Sequence, residues 1–268
     1  MALACPRIHP TAVVDSHARL HETVEVGPYA IIGADVEVGE GTRIDAHAVL
    51  RGPLRVGKRN QIFPFATLGE VSQDLTAKRD DATRVEVGDD NLIREFVTIQ
   101  RGTLKDTGLT RVGNHNLLMN YVHVGHDCVL GDHNVIANGT QLGGHIHIAD
   151  WVVLGGAVLI LQRCHLGSHC FAAGGSGITR DVPPFVVVQH NPAVARGINV
   201  EGLRRRGFGA DDLRDIKLAY RKLFMSGLRL EAALTELAET AERSAAVRDM
   251  IGFMRSATHP VQAARSHL

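Results

Sequence analysis

The sequence contains few cysteines, few aromatic residues and no long apolar run. Its four cysteines, Cys5, Cys128, Cys164 and Cys170, form no CxxC pair and are too sparse for a disulfide scaffold, which is typical of a reducing compartment. No apolar run approaches the roughly 20 residues that span a bilayer. The first residues also lack the basic start and apolar core of a secretory signal. We therefore expect a cytoplasmic protein without membrane insertion.

A net charge is absent as well, since 29 Lys and Arg balance 29 Asp and Glu. A balanced chain has no overall attraction for nucleic acid, so any charged docking surface is local. A hydrophobic content of 44% and a charged content of 22% are typical of a soluble globular protein. The 268 residues are enough for one large domain, alone or with a small appendage.

An aliphatic residue recurs at every sixth position of the chain. Eleven consecutive positions follow this period over residues 8–68, and it resumes in new phases over 87–99 and 112–178. A period of six fits neither a helix nor a simple alternating strand. It does fit a triangular coil in which each six-residue side points one aliphatic side chain inward. The repeat therefore predicts a parallel β-helix with 18 residues in each coil.

The repeat has two interruptions and a clear end. Residues 69–86 and 100–111 are too irregular for coils, so we expect loops that leave the prism, and loops on a rigid scaffold often carry function. After residue 184 the apolar residues follow helical spacing. We predict a β-helix over residues 1–190 and a small helical domain over 191–268. This domain would cover the unpaired edge of the last coil.

Stacked coils place chemically active residues beside one another. His126, Gly144 and Gln162 are 18 residues apart, so they lie in one column with about 4.8 Å between coils. His145 lies beside this column, and His123 precedes it by half a side. An imidazole suits a general base that removes a proton from a hydroxyl or an amine. The column therefore predicts a catalytic site at this corner.

Two alternatives for this corner remain open at this point. Asp127 either orients the His126 ring or is an ordinary turn residue at a corner. In addition, His123, His126, His145 and His147 are a candidate zinc set for a trimeric carbonic anhydrase-like prism. A carbonic anhydrase, which only hydrates a small molecule, would need neither the loops nor the helical domain. Their presence favours a different enzyme. An inert structural prism is the third interpretation.

Several short motifs, spread over nearly the whole chain, are more specific than the repeat. They are Val26-Gly-Pro-Tyr-Ala, Gly69-Glu-Val-Ser-Gln-Asp-Leu, Ile93-Arg-Glu-Phe-Val-Thr-Ile, Arg101-Gly-Thr, Asn116-Leu-Leu-Met, His123-Val-Gly-His-Asp-Cys, Gly144-His, Asp181-Val-Pro-Pro and Asn199-Val-Glu-Gly-Leu-Arg-Arg-Arg-Gly-Phe. Together they resemble the bacterial UDP-N-acetylglucosamine O-acyltransferases, which begin lipid A synthesis. The resemblance implies a left-handed β-helix followed by a small helical domain.

The resemblance also implies an activity and its partners. A family member moves an (R)-3-hydroxyacyl chain from acyl carrier protein to the 3-position of a UDP-amino sugar. It needs neither a coenzyme nor a metal, and it works as a homotrimer with active sites between adjacent prisms. Residues 191–230 contain nine Lys and Arg against four acids, so this region is the expected dock for the acidic carrier protein. Ordinary solvated helix charge is the alternative.

The matching positions imply roles for individual residues. His126 corresponds to the general base, Asp127 to its partner, and the Gly144 amide to the donor that stabilises the oxyanion. The expected sugar contacts are Gln73, Asp74, His123, His145 and Gln162. The expected nucleotide and diphosphate contacts are Asn199, Glu201, Arg205 and Arg206. Gly174 corresponds to the residue that limits acyl-chain length, although a glycine also suits a tight corner.

Three positions depart from the family pattern. Thr76 replaces a lysine after Gln-Asp-Leu, Gln100 replaces a histidine before Arg-Gly-Thr, and Leu161 replaces a histidine before Gln162. All three lie where the family places polar groups that face the sugar. The acceptor is therefore UDP-N-acetylglucosamine or a close variant, and a specialised paralogue acting on another nucleotide sugar stays open.

Overall fold

The computed structural model describes residues 7–262, so Cys5 lies outside the described residues. Within this range the chain winds into a three-sided prism of short parallel strands, followed by helices. The fold prediction of a left-handed parallel β-helix with a helical C-terminal part is confirmed.

Three sheets form the faces of the prism. The first sheet contains β1 (Val13–Val14), β4 (Ile31–Ile32), β7 (Val49–Leu50), β10 (Thr67–Glu70), β13 (Thr98–Gln100), β16 (His123–Val124), β19 (Gln141–Leu142), β22 (Leu159–Ile160) and β25 (Gly177–Ile178). The second sheet contains β2 (Arg19–Leu20), β5 (Val36–Val38), β8 (Leu54–Val56), β11 (Arg84–Val87), β14 (Leu109–Val112), β17 (Val129–Leu130), β20 (His147–Ile148) and β23 (His165–Leu166). The third sheet contains β3 (Glu25–Val26), β6 (Arg43–Ile44), β9 (Gln61–Ile62), β12 (Leu92–Ile93), β15 (Leu117–Leu118), β18 (Val135–Ile136), β21 (Val153–Leu154), β24 (Phe171–Ala172), β26 (Val186–Gln189) and β27 (Val194–Ile198).

The register of the strands follows the sequence period. His123 pairs with Gln141, 18 residues later. The two strands run parallel and lie one coil apart. The second residue of most strands points inward and is buried. Leu118, Ile136 and Leu154, for example, are 0% exposed. The interior of the prism is therefore a continuous aliphatic core, as the repeat predicts.

The corners between the faces have a left-handed backbone. Eighteen non-glycine residues in the described range have positive φ. At one edge of the prism, aromatic rings from successive coils stack on one another. Tyr29, His47, Phe65, Phe96 and Tyr121 form such a stack, with ring centroids 4.9 to 5.2 Å apart. Asp127 and His145 occupy corners of the same kind, with φ of 57° and 61°. The backbone conformation at the corner therefore sets the direction in which both side chains leave the chain.

Two loops leave the prism between strands of successive coils. The first loop, residues 71–83, connects β10 to β11, and the second loop, residues 101–108, connects β13 to β14. Pairing resumes after each loop, so the offset between paired residues rises to 31 at Leu54 and Val85 and to 25 at Thr98 and His123. Both loops start from the first sheet and end at the second.

The C-terminal part closes the last coil. β27 turns back antiparallel to β26, and five helices follow it: α1 (Val200–Arg205), α2 (Ala210–Phe224), α3 (Leu230–Glu236), α4 (Ala238–Arg243) and α5 (Ala245–Ser256). Asn199 begins α1 by accepting a hydrogen bond from the Gly202 amide, and Ser244 begins α5 in the same way through Val247. No helix in residues 7–262 is both long and apolar enough to cross a bilayer.

Candidate active site

A groove of about 380 Å³ runs along the first sheet where the two loops leave the prism. It is lined by Gln73, Asp74, Gln100, His123, Gly125, His126, Gln141, Leu142, Gly143, Gly144, Leu159, Ile160 and Gln162. Most of the residues expected to act on the sugar therefore face one cavity. We call this cavity the groove.

The His126 imidazole is fixed by the neighbouring carboxylate. Its Nδ1 lies 2.9 Å from Oδ2 of Asp127, whose side chain is fully buried, whereas the His126 side chain is 10% exposed. Thr103 also donates to Asp127, from its amide at 3.0 Å and from its hydroxyl at 2.7 Å. An ionised carboxylate can only accept, so Nδ1 carries the proton and Nε2 of the neutral ring keeps a free lone pair. Asp127 thus combines a corner backbone with a hydrogen bond that orients the ring.

Gly144 lies directly against the His126 ring. A Cβ at this position would lie 2.3 Å from Cε1 and 2.5 Å from Nε2 of His126, so only glycine fits. The amides on either side are used, because Gly143 donates to Ile160 and His145 donates to His126. The Gly144 amide donates to no protein acceptor within residues 7–262. It is therefore available as a hydrogen-bond donor beside the His126 ring.

His145 lies behind His126 rather than in the lining of the groove. The two rings meet edge to face with centroids 4.9 Å apart. Nδ1 of His145 donates to Oδ2 of Asp106 at 2.7 Å, and this hydrogen bond lowers the pKa of the Asp106 carboxyl. The His145 side chain is 6% exposed, so the second loop covers it through Asp106.

His123 lines the groove from β16 and bonds to the coil below. Its Nδ1 lies 2.7 Å from the hydroxyl of Thr98. Burial lowers the pKa of His123, and the nearby His126 lowers it further. The ring is therefore a neutral hydrogen-bonding group at neutral pH, which suits contact with a sugar hydroxyl.

The first loop brings Gln73 and Asp74 to the opposite side of the groove. The Gln73 amide donates to Oε1 of Gln100 at 3.0 Å, which ties the loop to β13. Lys105 and Thr76 donate to the Asp74 carboxylate, and the hydrogen bond from Lys105 is the main reason that its pKa lies well below the usual range. Asp74 is thus an anion at the edge of the groove.

The three departures from the family pattern have different surroundings. Gln100 lines the groove and holds Gln73, so its amide replaces a histidine with another hydrogen-bonding group. Thr76 donates to Asp74 from its hydroxyl at 2.6 Å. Leu161 is 59% exposed and brings no polar group to the position before Gln162.

The expected nucleotide contacts line a second cleft, of about 510 Å³. Asn199, Glu201, Arg205 and Arg206 contribute to it, together with Val153, Phe171, Val187, Ile198, Val200 and Gly202. The guanidinium of Arg206 lies over the Trp151 ring, 5.2 Å from its centroid. This cleft is built on the third sheet, whereas the groove is built on the first. A single chain therefore does not bring the two sets of residues together.

The zinc alternative can be compared with the histidine geometry. In the part of the chain that the structure describes, one group has metal-compatible spacing, His126, Asp127 and His145, with ligand atoms within 4.8 Å of one another. His123 and His147 lie outside this group, and His147 instead meets His165 edge to face. Nδ1 of both His126 and His145 already bonds to a carboxylate. These hydrogen bonds occupy Nδ1 of each ring and fix the orientation of both imidazoles.

Comparisons with known proteins agree with this geometry. The family model described as "Udp N-acetylglucosamine O-acyltransferase; Domain 2" matches residues 181–262, and the bacterial transferase hexapeptide model matches 17–52 and 109–144. An acyl-[acyl-carrier-protein]–UDP-N-acetylglucosamine O-acyltransferase of Halorhodospira halophila is 50% identical over 92% of this chain and 96% of its own length. The enzyme of the same name from Stutzerimonas stutzeri is 50% identical over 87% of this chain and 90% of its own. The chain belongs to the UDP-N-acetylglucosamine O-acyltransferase family.

A solved family structure also superposes closely. The UDP-N-acetylglucosamine O-acyltransferase of Moraxella catarrhalis has a TM-score of 0.93 at 39% identity, covering 96% of this chain and all of that chain. The resemblance inferred from the motifs is thereby confirmed. Family membership favours an acyltransferase over a carbonic anhydrase-like or an inert prism.

Sequence reasoning missed three residues that support the groove. Thr103 donates a hydrogen bond to Asp127. Thr103 could have been found from the sequence, because it is the last residue of the Arg101-Gly-Thr motif. Lys105 and Asp106 reach Asp74 and His145 from the second loop. Neither residue belongs to the repeat or to a motif, so only the folded loops place them there.

Proposed function

We propose that this enzyme transfers an (R)-3-hydroxyacyl chain from acyl carrier protein to the 3-hydroxyl of UDP-N-acetylglucosamine, the step that begins lipid A synthesis. The observation that carries the proposal is the pairing of an oriented base, His126, with the unused Gly144 amide beside it. Relatives at 45–50% identity over most of the chain carry the name of this activity.

The reaction follows from the two groups. Nε2 of His126 removes the proton from the sugar hydroxyl as that oxygen attacks the thioester carbonyl. The carbonyl oxygen becomes an oxyanion and accepts a hydrogen bond from the Gly144 amide. Asp127 stabilises the resulting imidazolium through Nδ1. When the tetrahedral intermediate collapses, the C–S bond breaks and the leaving thiolate takes the proton from Nε2.

We further propose that neighbouring prisms complete the site in a homotrimer. The groove holds the chemistry and the second cleft holds Arg205 and Arg206, whose guanidinium groups suit a diphosphate. Because these lie on different faces of one chain, a second copy must present its cleft to the groove. Gln73, Asp74, His123 and Gln162 would then contact the sugar while Asn199 and Glu201 contact the nucleotide.

An assay of the purified enzyme tests the proposed function. It would be incubated with a 3-hydroxyacyl carrier protein and either UDP-N-acetylglucosamine or its 3-amino analogue, with the product identified by mass spectrometry. We expect O-acylation of UDP-N-acetylglucosamine at the 3-position. Turnover of the amino analogue alone would reveal a specialised paralogue. Absence of turnover with both sugars would contradict the proposal.

The carrier protein is proposed to dock on α2. Lys217 and Arg221 lie four residues apart on this helix and are both exposed, whereas Lys222 pairs with Glu236. We expect the double variant Lys217→Glu, Arg221→Glu to raise the KM for acyl carrier protein about tenfold at low salt, because like charges repel across the interface. The KM for the UDP-sugar should stay constant. Lys58→Glu on the prism is the control, and an unchanged donor KM in the double variant would rule out this dock.

Gly174 is proposed to set the length of the acyl chain. It lies 48 residues after His126, on the order of 13 Å along the prism at about 4.8 Å per coil. Its nearest neighbour for an added Cβ is the Gly156 carbonyl oxygen at 3.3 Å, so a side chain can be introduced with a small adjustment. Without a side chain to block it, the chain should extend past roughly ten carbons.

The length prediction can be tested with Gly174→Met. A flexible apolar side chain should fill the end of the acyl path and lower the preference for a 14-carbon over a 10-carbon donor about tenfold. Competition between the two hydroxyacyl carrier proteins measures this ratio. Gly252→Met is the matched control, because no atom lies within 4 Å of a Cβ at that helix position. A variant with the wild-type ratio would show that the chain runs elsewhere.

A further inference from the structure

The second loop contacts the catalytic region with two consecutive residues. Asp106 accepts a hydrogen bond from the buried His145 at 2.7 Å, and Lys105 reaches across to Asp74 on the first loop. The Asp106 contact fixes the second loop against the ring that packs on His126. The ion pair with Asp74 therefore holds Lys105 at the edge of the groove, with its side chain half exposed.

The donors to Asp74 are distributed unequally between its two oxygens. Oδ1 receives the Thr76 amide at 2.8 Å, the Thr76 hydroxyl at 2.6 Å and Lys105 Nζ at 2.9 Å. Oδ2 receives Lys105 Nζ alone, at 2.7 Å. A carboxylate oxygen has two lone pairs. Oδ2 is thus the oxygen with capacity left for a further donor, and Asp74 lines the groove.

The position of Lys105 relates to the departure at residue 76. The family pattern has a lysine two residues after the aspartate, where this chain has Thr76. Thr76 supplies a neutral donor to the carboxylate, and the cation comes from the neighbouring loop. The local charge at the Asp74 end of the groove is therefore retained although the lysine at position 76 is absent.

We infer that Lys105 is a positioning residue for the UDP-sugar acceptor and supplies, from the second loop, the cation that the family pattern places at residue 76. This inference rests on the proposed function. The ammonium holds the Asp74 carboxylate in one orientation, with Oδ2 free to accept from a hydroxyl or amide N–H of the sugar. Lys105 acts through Asp74, and the proton transfer at His126 does not involve it. Its loss should weaken acceptor binding and leave the chemical step intact.

The test uses three variants of the full-length enzyme with UDP-N-acetylglucosamine and acyl carrier protein. Lys105→Met removes the ammonium and keeps the length of the side chain. We expect it to raise the acceptor KM about tenfold, because a change of this size corresponds to the loss of one charged hydrogen bond. The kcat should change less than about twofold. Lys58→Met is the control, because Lys58 pairs with Glu40 on the prism away from the groove. It should leave both constants unchanged.

The decisive variant combines Lys105→Met with Thr76→Lys. A lysine at residue 76 should return the cation to Asp74 and lower the acceptor KM to within about threefold of the wild type. An unchanged KM in Lys105→Met would overturn the inference, and so would a raised KM that Thr76→Lys does not restore. A fall in kcat at constant KM would also overturn it. Failure of the proposed function is distinct, because the wild-type enzyme itself would then show no turnover.

Discussion

The His126→Ala enzyme is expected to lose about 10³-fold in kcat, within the range that a positioned general base contributes. Nε2 of His126 is the proposed proton acceptor, and alanine leaves the sugar hydroxyl without a base in the groove. The KM of either substrate should change little, because the ring acts in the transition state. Steady-state kinetics with both substrates measures the loss.

The structure also indicates a suitable control for this variant. His17 lies in the first coil with a side chain 79% exposed, so His17→Ala removes an imidazole from the same prism without touching the groove. Its kcat should equal that of the wild type. Circular dichroism and elution volume should be unchanged in both variants. A His126→Ala enzyme with turnover within threefold of the wild type would remove the ring from the catalytic role.

Gly144→Ala is expected to lower kcat about 100-fold while keeping the amide that stabilises the oxyanion. The new methyl group would lie 2.3 Å from Cε1 of His126, and the ring cannot stay where it is. Asp127 holds the ring at Nδ1, so the displacement separates the proposed base from its target. A misplacement of about 1 Å at a reacting group costs on this order. The loss should appear in kcat.

Gly33→Ala is the control for the glycine variant. Gly33 follows β4 of the first sheet, several coils before the groove, and the nearest neighbour of an added Cβ there would be the Leu50 carbonyl oxygen, at 3.5 Å. That is an ordinary contact, so kcat should stay within about twofold of the wild type. Equal kcat values for the two glycine variants would show that Gly144 does not restrain the His126 ring.

The fold of this protein could be predicted from sequence because one rule repeats. Most strands of the prism carry a buried aliphatic residue at a fixed place, and successive coils use the same rule. Pairs such as His123 and Gln141 then follow from counting. The antiparallel return of β27 could not be predicted this way, because the repeat has ended before it begins.

The site could be predicted only in part, for a related physical reason. His126 and Gly144 belong to the repeat, so the 18-residue period brings them together. Thr103, Lys105 and Asp106 lie on a loop whose path depends on its contacts with Asp74, Asp127 and His145. Periodicity carries no information on such loop contacts. Their side chains become interpretable only when both loops are seen on the prism.

The stacking of coils has a consequence for how the molecule opens. Each coil bonds only to the coil before it and the coil after it, so thermal fraying should proceed from an end, one coil at a time. The C-terminal end is closed by β27 and the helices, whereas the first coil leaves Val13 63% exposed. Fraying should therefore begin at the N-terminal end. Several coils separate that end from His126, so the first coils can open and close without disturbing the groove.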